Sequence, residues 1–408
     1  MRTSACALIA SSILTYTTVS LAYAWGSASL LHTLYFINND PAGNYVVAAS
    51  IDANGLPTGS SATHAGGVGV HGMGSFGLGP DGTFSQGIVQ VHQDNDWLAT
   101  VNTANHTVVL FGIDPYDPLR LTMIGKPVST QGDSPNSVAF NDAGNRLCVL
   151  NTGTTNGIAC FDVTKTGLVL QEESVRSLGL ALQTVPATGP FNTASQIVFT
   201  RDQKNILVAV KGTPTEPGFF AVWPINESTG QLAEEYTRIP APPGGGLPFS
   251  LKPIPGTDSF VGADFAIGYD IIEFNKGATD LTARTKALPI EGQVGACWST
   301  YSAARDSYYI VDVAGVVTEV KVDTQLRTST VNNFTVPAPP IDSVALDIGR
   351  KSYFYTLLPT LPGLGVWDLD AKPAPEMASI VSLATLTQDL VPLTPGYVQG
   401  MAAYTHKV

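Results

Sequence analysis

Two aspartates and one lysine carry the acid–base options of this chain. Asp264 and Asp312 have the type required of a general base, able to activate water or abstract a proton. Lys211 could stabilise an oxyanion developing beside either of them. With Asp342 the two carboxylates also make a candidate central Ca²⁺ set, because hard cations take carboxylate and amide oxygens. No local loop motif accompanies them, and no cofactor is expected. The amides of Asn38, Gln86, Asn102, Asn136, Asn151, Gln196 and Gln399 can pair with hydroxyls and carboxylates, and Trp298 offers a stacking face. Together these groups suit a small polar or anionic organic ligand. The competing reading is that they hydrogen-bond the protein's own backbone and internal water.

Other chemistry-bearing residues add less. His32, His92, His106 and His406 read as structural or peripheral, while His64 and His71 lie in a Gly-rich loop able to cover a site. Gly67-Val-Gly-Val-His-Gly72 matches G-x-G-x-x-G, yet the Gly-rich run to Pro80 cannot start the helix that a dinucleotide site needs. No Cys/His spacing suggests zinc, and no G-x-S-x-G nucleophile motif occurs.

What positions the candidates is a repeat of about 40–55 residues, the range of propeller blades. Each copy has a short apolar strand, a turn with Asp, Gly or Asn, a second β-rich strand ending in polar residues, and a third strand. Residues 135–169 show it most cleanly, with Asn141-Asp-Ala-Gly-Asn145 as the first turn. First strands start again near 85, 194, 248, 296 and 341, and second strands follow at 97–102, 205–211, 258–264, 307–312 and 352–358. The segment 31–38 reads as a second strand without a first, and 397–404 as a first strand without a second. Their pairing predicts an all-β ring of seven blades closed by the C-terminal strand, which leaves no open edge. A monomer is expected. First-strand starts and second-strand ends meet at the mouth of the central channel, so the residues above become a named ring. Gly/Pro-rich stretches at 57–84 and 239–248 read as long loops.

The N-terminus reads as a signal peptide over residues 1–24. Arg2 is followed by an apolar stretch and the small-x-small site Ala22-Tyr23-Ala24, which leaves 25–408 as one secreted propeller domain. The formal net charge of −12 argues against nucleic acid and anionic membranes as partners, and no later apolar run is long enough for a membrane span. Cys148 and Cys160 flank the turn Asn151–Gly157 and would face each other if it is symmetric about Thr154. Either a disulfide or two buried thiols fits that placement. Sequons at Asn105, Asn226 and Asn333 fit a glycosylated extracellular product.

Several segments resemble the seven-bladed lactonase-like propellers, which include 6-phosphogluconolactonase and carboxymuconate cyclase. They are Ser85-Gln-Gly87, Ala99–Val108, Ser134–Val138 with Val149–Gly153, Gly295–Trp298 and Pro340–Leu346. The resemblance spans nearly the whole chain, points to a secreted fungal-type member, and implies lactone hydrolysis or lactonising isomerisation. The chain departs from the family where its catalytic members often carry His after Pro, reading Pro135-Asn136, and where they carry Glu, reading Val210 beside Lys211. Two functions follow as expectations. One is a channel that binds a small molecule, with catalysis by Asp312, Asp264 and Lys211 as an option. The other is a non-catalytic surface antigen or adhesin that binds an extracellular or cell-wall component through its loops.

Overall fold

The computed structural model describes residues 32–74 and 77–406. The signal-peptide segment 1–24 lies outside the described residues. Seven sheets of four or five strands form the blades of a β-propeller, with one further two-stranded parallel pair, Met73–Gly74 with Thr188–Gly189. The inner strands of blades two to seven are Val89–His92, Pro135–Phe140, Ala194–Phe199, Lys252–Pro253, Ala296–Ser302 and Ile341–Ile348. The second strands, from Trp97–Asn102 to Lys351–Leu358, fall within a residue of the positions read from the repeat.

Ring closure follows the expected route. The C-terminal strand Gln399–Thr405 is the inner strand of the first blade and pairs antiparallel with His32–Ile37. That sheet continues through Tyr45–Ile51 to Pro57–His64. The outermost strand corrects one expectation: residues 57–64 form a strand in place of the start of a loop. Serines, threonines and a glycine in this stretch obscure a strand whose register is set by backbone pairing to Tyr45–Ile51.

Second and third strands are buried on both faces because each blade is packed between two others. Leu147, Cys148, Val149 and Leu150 are all fully buried, which explains their continuous apolar run in place of an alternating one. Outer strands alternate or are mostly exposed, as in Thr328–Thr335. The hairpin around residues 151–157 is symmetric: Cys148 opposes Cys160 in the register, and the two are joined as a disulfide. Cys297 is a buried free thiol. Among the described residues no helix is long and apolar enough to cross a membrane.

A register shift recurs at the start of the inner strands, between Pro135 and Ser137, Ala194 and Gln196, Ala296 and Trp298, and Ile341 and Ser343. The extra residues at these bulges are Asn136, Ser195, Cys297 and Asp342. A bulge bends its strand and re-aims its side chain, here at the rim of the channel.

Candidate functional site

The linker from the first blade to the second does not skirt the channel mouth but crosses it. Residues 80–86 are tied to blades one, three, four and six. Asn136 Nδ2 donates to the Thr83 and Ala194 carbonyls, and Ser85 Oγ donates to the Asn136 carbonyl at 2.7 Å. Lys211 Nζ donates to the Phe84 carbonyl at 2.6 Å, and Trp298 Nε1 to the Ser85 carbonyl at 3.1 Å. Gln86 clasps Ser299, donating to its carbonyl at 2.8 Å and accepting from its N–H at 3.0 Å. Gln399 accepts from Thr83 Oγ1 and donates to the Pro80 carbonyl.

The crossing segment carries its own clamp. Asp81 Oδ1 accepts from the N–H groups of Thr83 (2.9 Å) and Phe84 (2.8 Å). Phe84 sits at φ 53°, in the left-handed region, and is buried. Its ring lies so close to Gly72 and Gly189 that a Cβ on either would come within 2.5 and 2.3 Å of it. Only glycine fits at those two positions. The result is a plug across one mouth of the channel.

Five of the sequence candidates therefore meet at the plug: Gln86, Asn136, Lys211, Trp298 and Gln399. All five are buried, and their donors are spent within the protein: those of Asn136, Lys211, Trp298 and Gln399 reach carbonyls of the plug, that of Gln86 reaches Ser299, and Asn136 Oδ1 is left without a partner. Trp298 packs edge-on against Phe249, with centroids 5.2 Å apart, and leaves no open stacking face. Lys211 lies over the same Phe249 ring at 4.4 Å. Burial lowers its ammonium to about 7, and the Asp81 carboxylate opposes that shift. Burial likewise raises Asp81, and raises the Cys297 thiol well above its ordinary value.

The second-strand ends do something else. Asn38 Nδ2 donates to the Pro392 carbonyl, Asn102 Nδ2 to the Ala65 carbonyl, and Asn151 Nδ2 to the Thr130 carbonyl. Asp264 accepts from the N–H groups of Gly246, Leu247 and Ala266. Asp312 accepts from Val294, Gly295 and Ala314. In each case the side chain pins the linker that enters its own blade. Asp264 and Asp312, expected as bases facing the channel, are both buried and engaged by backbone donors. Asp264 also abuts Asp270, whose buried carboxyl is pushed well up by burial and by the Asp264 charge. Among the described residues no three His, Cys, Asp or Glu side chains, Asp264, Asp312 and Asp342 included, group closely enough to hold a metal ion.

Two of the histidines also bond the backbone. His71 is buried, with its ring nitrogens on the Gly72 and Gly79 carbonyls, and His106 Nδ1 accepts from Ser134 N–H. Asn105, Asn226 and Asn333 are all exposed.

The opposite mouth, where inner strands turn into second strands, is open. A cavity of about 620 Å³ is lined there by Gln90, His92, Phe140, Gln196, Arg201 and Lys252, among others. Of these only Gln196 was singled out from the sequence; its Oε1 accepts from Leu251 N–H at 2.6 Å. Lys252 was missed although a lysine inside the apolar run Phe249–Ile254 is an unusual residue for a strand between blades. Asp342, deeper in the channel, accepts from Gly400 N–H at 2.7 Å. Burial and the Asp81 charge raise its carboxyl to about 8.

No family model matches the chain, and no curated protein does. Solved structures do. The periplasmic gluconolactonase of Pseudomonas aeruginosa superposes with a TM-score of 0.69 at 15% identity, over 92% of this chain and 100% of that one. A protein provisionally assigned as a 6-phosphogluconolactonase, from Bacteroides fragilis, gives 0.64 at 14% identity, over 91% and 98%. A second such protein, from Bacteroides uniformis, gives 0.64 at 13%, over 91% and 99%. At these identities the likeness is one of fold. The chain has the seven-bladed propeller fold of the 6-phosphogluconolactonase-like proteins.

Proposed function

We propose that this propeller binds a small polar or anionic organic ligand in its central channel, reached through the open mouth. The observation that carries this reading is the cavity of about 620 Å³ at that mouth, walled by amide and cationic side chains from four neighbouring blades. Its size suits a small molecule. Lactone hydrolysis or lactonising isomerisation is the activity suggested by the proteins of like fold. The set Asp312, Asp264 and Lys211 does not support that chemistry, because each polar group is buried on a backbone partner. The N-terminal leader-like segment and the three exposed sequons support an extracellular glycoprotein.

Native mass spectrometry of the secreted protein, followed by a lactone panel, tests the reading. A retained or added small molecule of defined mass is expected. A protein that holds none, and whose open-mouth residues can be changed without effect on any ligand, contradicts it.

A second reading, a non-catalytic surface-binding protein, draws on the plugged face. Met73, Leu78, Leu182 and Val185 are exposed there, at 55, 69, 94 and 50%. Partner binding that survives open-mouth substitutions but is lost on replacing these four residues by serine would favour it.

A further inference from the structure

The ligand's chemistry can be narrowed from the side chains at the open mouth, an inference that rests on the channel-binding reading above. Lys252 belongs to the inner strand of the fifth blade. Its predecessor Leu251 packs into the apolar cluster between blades four and five. Side chains alternate along a strand, so Lys252 points the other way. It lines the cavity and feels the charge of Asp342, three blades round the ring from Gln196. Burial lowers its ammonium, and Asp342 partly restores it. Yet among the described residues the ammonium makes no hydrogen bond and no ion pair. Three N–H donors are thus unused in a largely desolvated place, where an unpaired charge is costly.

The neighbours repeat the pattern. Bonding Gln196 Oε1 to Leu251 N–H fixes that amide and leaves its NH₂ as a donor with no protein partner. Gln90 also lines the cavity, and neither end of its amide is bonded within the chain. Arg201 stands exposed at the rim without an ion pair. Acidic side chains at the same mouth are the rim residues Asp94 and Asp142. Two inward amides and one inward cation thus share one wall without acceptors.

We propose that Lys252, with the amides of Gln196 and Gln90, binds the carboxylate of a small organic acid. Arg201 draws the anion to the mouth from solvent. A single inward cation suits a monoanion. A dianion such as phosphate would bring a second charge into this largely desolvated place with no second inward cation to balance it. The apolar wall of Val138, Ala139 and Phe140 takes the acid's carbons.

The test is calorimetric titration of acetate, butyrate, glycolate and inorganic phosphate into the folded chain, wild type and variants. Wild type is expected to bind the three carboxylates and to bind phosphate at least tenfold more weakly. Lys252→Met should weaken carboxylate binding about 10- to 100-fold, as loss of a charge-assisted hydrogen bond implies. Lys252→Arg should recover part of it, and Arg201→Ala should cost only a few-fold. If Lys252→Met fails to fold, the Lys252→Arg and Gln196→Leu pair carries the same comparison. Carboxylate binding unchanged in Lys252→Met, or phosphate preferred over acetate, overturns the proposal. A neutral polyol or lactone bound equally by wild type and Lys252→Met would sink this inference alone and leave the channel reading standing. No ligand of any kind in wild type would sink both.

Discussion

The two ends of the central channel are framed by the same seven inner strands, yet polar residues serve opposite purposes at each. At one mouth Asn136, Lys211, Trp298 and Gln399 donate to the chain segment that crosses it, and Gln86 of that segment is held by Ser299. At the other, Gln90, Gln196 and Lys252 keep donors that no part of the chain accepts. A ring of polar residues therefore does not by itself mark a ligand site. What separates the two cases is whether the protein's own backbone has already filled the acceptor positions.

The largest expected effect comes from breaking the closed end. Phe84→Ala removes a buried ring wedged between Gly72 and Gly189 and should cost about 3–5 kcal/mol in urea unfolding. Cys297, buried beneath the plug and sensing the Asp81 charge, should become reactive to thiol reagents in the same variant. Unchanged stability and an inert Cys297 would mean that the plug is not held as described.

The deep channel gives the next effect, read from pH. Asp342 holds its proton up to about 8 when folded, whereas an unfolded aspartate ionises near 3.9. The folded state thus binds more protons between these values. Its contribution falls as pH rises through that window, by up to about 1.4 kcal/mol per pH unit. Asp342→Asn should flatten this decline in a series of urea melts. Lys211 runs the other way: its folded value near 7 lies below the unfolded one, so it adds stability as pH rises from about 7 to 10. Lys211→Met should remove that rise. Equal slopes in wild type and both variants would refute the placement of these groups.

A smaller effect separates structural from ligand-binding carboxylates. Asp312→Asn should lower stability by about 1 kcal/mol, as one carboxylate with three backbone donors becomes an amide. It should leave channel binding untouched. Ligand affinity that drops with Asp312→Asn would return this residue to the site. The smallest effect belongs to the rim of the open end, where Arg201→Ala should shift stability by less than about 0.5 kcal/mol.

Much of the fold was legible because it is local and repeated. The spacing of Asn141-Asp-Ala-Gly-Asn145 and its counterparts located the second strands, and the symmetric turn at 151–157 put Cys148 opposite Cys160. The C-terminal strand could be matched to its N-terminal blade because each lacked what the other supplied. The site was less legible for a physical reason. The path of residues 80–86 depends on bonds to partners 50 to more than 300 residues away, such as Asn136 and Gln399, and no local pattern encodes them. Pro80-Asp81-Gly82 reads as an ordinary turn, which conceals a carboxylate that clamps the plug. Asn102, Asn151, Asp264 and Asp312 were placed correctly at strand ends, but only the structure shows that each meets an incoming linker and not the channel.

The contrast between the two mouths can be measured in one paired labelling experiment. A Gln90→Cys variant carries one thiol at the open end and the native Cys297 behind the plug, while the disulfide keeps Cys148 and Cys160 out of the reaction. Residue 90 is expected to react at the rate of an accessible thiol, and Cys297 only after global unfolding. Equal rates at both positions, or Cys297 reacting first, would contradict a channel that is open at one end and sealed at the other.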